Sequence, residues 1–146
     1  MHLSNIEVRQ LLRTRYPDAL WMPLEADYDV PTERAFDIFR DEFGRHMLSL
    51  CGDKWFDFYD CNRFALEAMS YANIKHMLAR RAGQGQSQGV GFFMLCFQLR
   101  PGDPTSGHAI NTRIRPDRSV MEFEPQNRKD LPLTQSQCAS AWLLFG

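Results

Sequence analysis

Residues 90–97, VGFFMLCF, are the longest apolar run in the chain, interrupted only at Gly91. The run is far short of the ~20 residues that cross a bilayer as a helix. Nearly all apolar as far as Leu99, it reads as a central strand, and such a strand needs partners. Those lie downstream. After a turn at Arg100-Pro101-Gly102-Asp103, residues 108–115 and 119–124 form a hairpin around Pro116, Asp117 and Arg118. Upstream the pattern is helical. Ser4 and Glu7 fit the S-x-x-E capping box with Val8, Leu11 and Leu12 as an apolar edge, so a first helix starts at Ser4 and ends before Pro17. Prolines at 17, 23 and 31 make residues 16–31 a turn-rich connection. Phe36, Phe39, Phe43, Met47 and Leu50 fall on one stripe of a second helix, from about Pro31 to Cys51, with Gly52 as its stop. A third helix runs from Asp60 to Arg81 and ends at Gly83, its apolar residues spread over more than one face. The Gly- and Gln-rich residues 83–89 form a flexible loop. Helices first and an antiparallel sheet second define an α+β class, with a long central helix packed on a small antiparallel sheet.

All of residues 1–146 suit one domain. With 17 basic against 18 acidic residues there is no cationic surplus to draw nucleic acid or anionic lipid, so neither is expected as a partner. Asn5, Glu7 and Arg9 interrupt the apolar residues of the N-terminus, which does not read as an export signal. A cytoplasmic setting follows, with Cys51, Cys61, Cys96 and Cys138 as reduced thiols. Their irregular spacing does not match a structural zinc site, and no H-E-x-x-H occurs, so no metal centre is expected. Cys96, inside the apolar strand, and Cys51 read as buried and inert. Cys138 reads as a more exposed thiol without a neighbouring base.

Cys61 is different, because it opens a helix. A thiol is nucleophilic only as its thiolate, and the unpaired N–H groups of a first helical turn stabilise that anion by ~0.3 to 2 kcal/mol. Most of the activation has to come from a cation nearby. His108, opening a strand after Gly107, is the histidine whose setting lets a ring face a helix end; His2 is terminal, and His46 and His76 lie within helical sequence. A three-residue hairpin loop pairs Arg115 with Ser119 and places Glu124 opposite Ile110, on the face that carries His108. A carboxylate there holds the imidazole tautomer and stabilises its cation. A two- or four-residue loop would invert the face. A lone cysteine or histidine is more often structural, and Glu124 is equally readable as a solvated strand-end carboxylate. Trp21, Trp55 and Trp142 either line a groove or, like most of the eleven phenylalanines, fill core.

At these residues the chain resembles the papain-like C-terminal protease domain of the Marasmius oreades agglutinin and its small stand-alone relatives. The matching pieces are Tyr16-Pro17, Asp27-Tyr28, Asp60-Cys61-Asn62-Arg63-Phe64-Ala65, Gly107-His108-Ala109-Ile110-Asn111 and Glu124-Pro125-Gln126, in the family's order over most of the chain. The resemblance implies a papain-like fold and peptide-bond hydrolysis, with Cys61 as nucleophile, His108 as general base and acid, and Glu124 as orienting carboxylate. Asn111 and Gln126, within the matching pieces, join Asn62 and Trp55 as candidates for substrate or oxyanion binding. Residues 51–60 contain no Gln or Asn to stabilise an oxyanion, which leaves the Trp55 indole or Asn62 for that task. Asp60 opposes thiolate formation unless its carboxylate turns away to cap the helix. For the agglutinin itself the family implies a calcium requirement. Here Asn62 and Arg63 stand where relatives often carry a further acid, and Asp27, Asp29, Asp57 and Asp60 are the oxygen donors available.

The expected activity is that of a cysteine peptidase or related amide hydrolase acting on a peptide or protein through an acyl enzyme. No cofactor is needed for that chemistry. Acyl transfer to an amine, of transglutaminase type, uses the same triad. The rival from another class is a catalytically inactive module that keeps the cleft to bind a partner.

Overall fold

A computed structural model describes residues 1–51 and 60–146. Strand β1 (His2–Ser4) leads directly into α1 (Asn5–Arg15), where Ser4 and Glu7 form the reciprocal capping box expected of them. Next come β2 (Leu20–Met22), β3 (Asp27–Asp29) and helix α2 (Glu33–Cys51), whose start is tied by the Ala35 N–H donating to Thr32 Oγ1 at 3.2 Å. Helix α3 (Cys61–Arg81) is followed by β4 (Gly89–Val90), β5 (Phe92–Gln98), β6 (Gly107–Ile114), β7 (Val120–Glu124), β8 (Lys129–Asp130), the short α4 (Gln135–Ala139) and β9 (Leu143–Phe145). Gly83 follows α3 with a positive φ of 77°, the conformation that ends a helix most cheaply at glycine.

The strands form two sheets: six in the order β2-β9-β5-β6-β7-β8, and three in the order β1-β3-β4. Pairing is antiparallel except for β2 with β9 and β3 with β4. Gly91 joins the sheets, its N–H donating to Asp29 O at 2.8 Å and its carbonyl accepting from Ile114 N–H at 3.0 Å. β5 is the central strand its composition demanded. Phe93, Leu95 and Phe97 enter a core with Val8 and Leu12 of α1 and Tyr16 just after it, while Phe92 enters a second core with Phe36, Phe39 and Phe43 of α2 and Phe64 and Met69 of α3. Apolar burial on both faces at ~25 cal/mol per Å² makes this strand the centre of the fold's stability.

The α+β composition stands, but the papain-like arrangement of N-terminal helices on a small antiparallel sheet is corrected. Strands occur from His2 onward, the main sheet has six strands and is mixed, and a second sheet lies beside α1. Residues 16–31, expected as a connection, contain β2 and β3. The physical reason is that β2 forms only because β9, more than a hundred residues away, offers it an edge. Gly52 and the acidic, aromatic residues 53–59 lie outside the described residues. Among the described residues no helix is long and apolar enough to cross a membrane.

Candidate active site

Helix α3 begins at Cys61 because Asp60 caps it, Oδ1 accepting the Arg63 N–H at 3.1 Å. The acid beside the thiol is thus turned to the helix end. Cys61 lies in the first turn, whose N–H groups have no acceptor within the helix. It is partly exposed and packs on a small cluster of Ala65, Cys96 and Ala109, with Leu143 and Met94 alongside. Burial pushes the Cys96 thiol up to about 11, and the charge of nearby Cys61 adds to the effect. Burial also raises Cys138, which is enclosed rather than exposed, against the lowering pull of Arg15. Of the three cysteines described, Cys61 alone combines solvent access with a helix N-terminus.

The hairpin has the three-residue loop, with the Arg115 N–H donating to Ser119 O at 2.9 Å and Asn111 pairing with Phe123. Glu124 and His108 therefore share a face, and His108 Nε2 lies 2.8 Å from Glu124 Oε2. Both side chains are largely enclosed, 14% and 9% exposed. Glu124 Oε1 accepts the Gln126 backbone N–H at 3.2 Å, and the imidazole packs edge-to-face with Phe97 at 5.8 Å between ring centres. With one carboxylate oxygen tethered, the other fixes Nε2, which leaves Nδ1 as the ring nitrogen able to take a proton.

Successive residues of β6 face opposite sides. Asn111 reaches α3 while Thr112 reaches Tyr16 behind α1, so Cys61 lies on the Ala109 side and His108 on the other, at the first residues of the strand. Among the described residues the thiol's hydrogen-bond contact is with Asn62 Oδ1, at 4.0 Å, and not with the imidazole. Such pairs commonly tighten only when substrate is bound.

The remaining candidates separate. Asn62 is exposed, with its Oδ1 4.0 Å from the thiol. Gln126 acts on Glu124 through its backbone. Asn111 is corrected: it is wholly buried, donating to Ala65 O at 2.8 Å and Phe93 O at 3.3 Å, so it braces α3 on the sheet and meets no substrate. Trp55 and Asp57 lie outside the described residues. Of the acids considered for calcium, those described are engaged by N–H donors. Asp27 Oδ1 accepts the Gln88 N–H, Asp29 Oδ2 accepts those of Gln86 and Ser87, and Asp60 caps α3. Burial works to raise Asp29, but the N–H groups of Ser87 and Gln86, with His76, outweigh it and hold the carboxyl below its ordinary range. Among the described residues, no three acidic, histidine or cysteine side chains converge as metal ligands do. Trp142, left open between groove and core, is half exposed with its ring against Gly107, the residue before His108.

No family model matches the chain, and no curated protein matches it by sequence. Solved structures of a lectin from Polyporus squamosus do. A complex of PSL1a with E64 is similar with a TM-score of 0.65 at 17% identity, over 98% of this chain and 50% of that one. The same lectin bound to the influenza-binding epitope Neu5Aca2-6Galb1-4GlcNAc gives 0.67 at 16% identity, over 98% of this chain and 49% of that one. The fold is thus one found in fungal lectin chains, and this chain spans about half their length.

Proposed function

We propose that the chain is a thiol-dependent amide hydrolase acting on peptides, with Cys61 as nucleophile, His108 as base and acid, and Glu124 as the carboxylate that orients His108. The observation that carries this reading is the enclosed 2.8 Å contact between His108 and Glu124, one residue from the Ala109 that shares a cluster with Cys61. His108 Nδ1 takes the Sγ proton, and the thiolate adds to the substrate carbonyl. In this reading the backbone N–H of Cys61 and the Asn62 side-chain amide receive the oxyanion. His108 returns its proton to the departing amine, leaving an acyl thioester that water hydrolyses. The agglutinin resemblance of Asp60–Ala65, Gly107–Asn111 and Glu124–Gln126 supports the same roles. The sugar epitope belongs to the Polyporus lectin, of which this chain matches only half.

A peptide-library screen tests the proposal. Cleavage by the wild type that falls at least about a thousandfold in Cys61→Ser and in His108→Ala is expected, since members of such a triad act as a unit. E64, found in complex with the PSL1a neighbour, should label Cys61 and stop cleavage. Cleavage that survives Cys61→Ser would contradict the proposal. A wild type that binds peptides intact, with Cys61 no more reactive than a free thiol, is the outcome expected of the inactive binding module instead.

A further inference from the structure

Cys96 is a second thiol in the small cluster on which Cys61 packs, together with Ala65 and Ala109. The sheet register and the seating of α3 put it there. Cys96 pairs with Ala109 across β5 and β6, so the two side chains leave one face with Cβ atoms about 4.5–5.5 Å apart. Asn111, two residues beyond Ala109, shares that face and donates to Ala65 O at 2.8 Å, which pins one turn of α3 to β6. Cys61 stands four residues before Ala65, a helical rise of about 6 Å, and Ala109 stands two before Asn111, a strand step of about 6.4–6.8 Å. The matched steps carry the first turn of α3 toward the Ala109 and Cys96 pair. Ala65 and Ala109 bring only methyl groups to the cluster, and the charge of Cys61 is felt at Cys96. The two thiols differ in access: Cys61 is partly exposed, whereas Cys96 is 6% exposed and burial keeps its proton in place. An oxidant arriving from solvent therefore meets Cys61 first.

We infer that Cys61 and Cys96 form a reversible oxidation site, in which hydrogen peroxide converts Cys61 to a sulfenic acid and Cys96 resolves it as an intramolecular disulfide. In the first step the Cys61 sulfur attacks one peroxide oxygen, the O–O bond breaks, and the departing hydroxide leaves as water with the thiol proton. In the second the Cys96 sulfur attacks Cys61 Sγ, an S–S bond replaces the S–O bond, and the released oxygen takes the Cys96 proton to form a second water. Two thiols are oxidised and one peroxide is reduced. A thiol reductant reopens the bond by exchange. The disulfide halts Cys61 one stage before the irreversible sulfinic acid. It also removes the nucleophile, so closure switches activity off; that consequence rests on the hydrolase reading above, whereas the pairing itself does not.

Treatment of the dilute wild-type protein with excess hydrogen peroxide, followed by peptide mapping without reductant, tests this. The expected product is a linked pair of peptides carrying Cys61 and Cys96, in a protein lighter by two hydrogens. Iodoacetamide labelling of Cys61 should be lost and then recovered with dithiothreitol, at least about tenfold more completely than in Cys96→Ala or Cys96→Ser. In those two variants Cys61 should pass on to the sulfinic acid, a gain of two oxygens that dithiothreitol does not reverse. Cys138→Ala should behave as the wild type does. Sulfinic acid at Cys61 of the wild type, or a disulfide from Cys61 to any other cysteine, would overturn the pairing. Excess peroxide oxidises even an ordinary thiol, so a missing link tells against Cys96 and not against the triad. The triad reading is judged separately by how the iodoacetamide rate of the untreated wild type depends on pH, so either claim can fail alone.

Discussion

Two carboxylates two residues apart on one face of β7 have different surroundings. Glu122 is 1% exposed and receives Arg15 Nε at 2.8 Å, Arg15 Nη2 at 3.2 Å, the Tyr16 hydroxyl at 2.7 Å and the Leu133 N–H at 3.3 Å. Glu124 receives one backbone N–H and an imidazole. The first is locked by a permanent cation and a full set of donors, which tie α1 and the segment before α4 to the sheet. The second faces a partner whose charge can change. A buried carboxylate with every donor supplied serves the fold, whereas one given a titratable partner is able to serve a proton transfer.

Glu122→Ala should break the first arrangement with the largest effect. Removing the acid leaves the Leu133 N–H without its acceptor, and reduces Arg15 to the Leu133 carbonyl and the Tyr16 hydroxyl to Thr112 Oγ1, at a cost of about 3 kcal/mol because Arg15 is partly exposed. Urea unfolding measures it, and a loss under about 1 kcal/mol would mean that the network contributes little. Glu124→Gln sharpens the contrast, with a loss of roughly 1 kcal/mol in the same assay. Its main consequence should be chemical: alkylation of Cys61 below pH 7 should fall toward that of a free thiol. A Glu124→Gln protein that loses stability as Glu122→Ala does, while keeping its thiol reactive, would reverse the two roles.

The smallest effect concerns alkaline pH. Burial, and then the charge of Glu122, raise the Tyr16 hydroxyl well above its ordinary 10.0. The unfolded chain therefore loses this proton first as pH rises. The associated stability is fully present below pH 10 and lost above it. Tyr16→Phe should flatten the fall in unfolding free energy between about pH 9 and 11 that the wild type shows. An unchanged slope would mean that Tyr16 is not the group responsible.

Much of this arrangement was legible before any coordinates. The Ser4–Glu7 capping box, the phenylalanine stripe of α2 and the cap at Asp60 are local, and local patterns carry their own physics. The hairpin was legible too, since a three-residue loop sets the register that brings Glu124 to His108. Features closed by distant pairing were not. β2 and β9 are three residues each and pair across most of the chain, so neither shows in its own segment. Asn111 was misread for the same reason: only the passage of α3 over β6 turns a polar strand residue into a buried brace for the Ala65 carbonyl. The setting of Trp142, left open between groove and core, depends on Gly107, a neighbour in space and not in sequence.

The rate of Cys61 alkylation by iodoacetamide against pH, in wild type and His108→Ala, tests the central claim most directly. A rate in the wild type that stays high well below pH 7, and collapses to that of an ordinary thiol with pKa near 8.5 in His108→Ala, is the predicted result. Superimposable profiles for the two proteins, both rising only as a free thiol ionises, would contradict it.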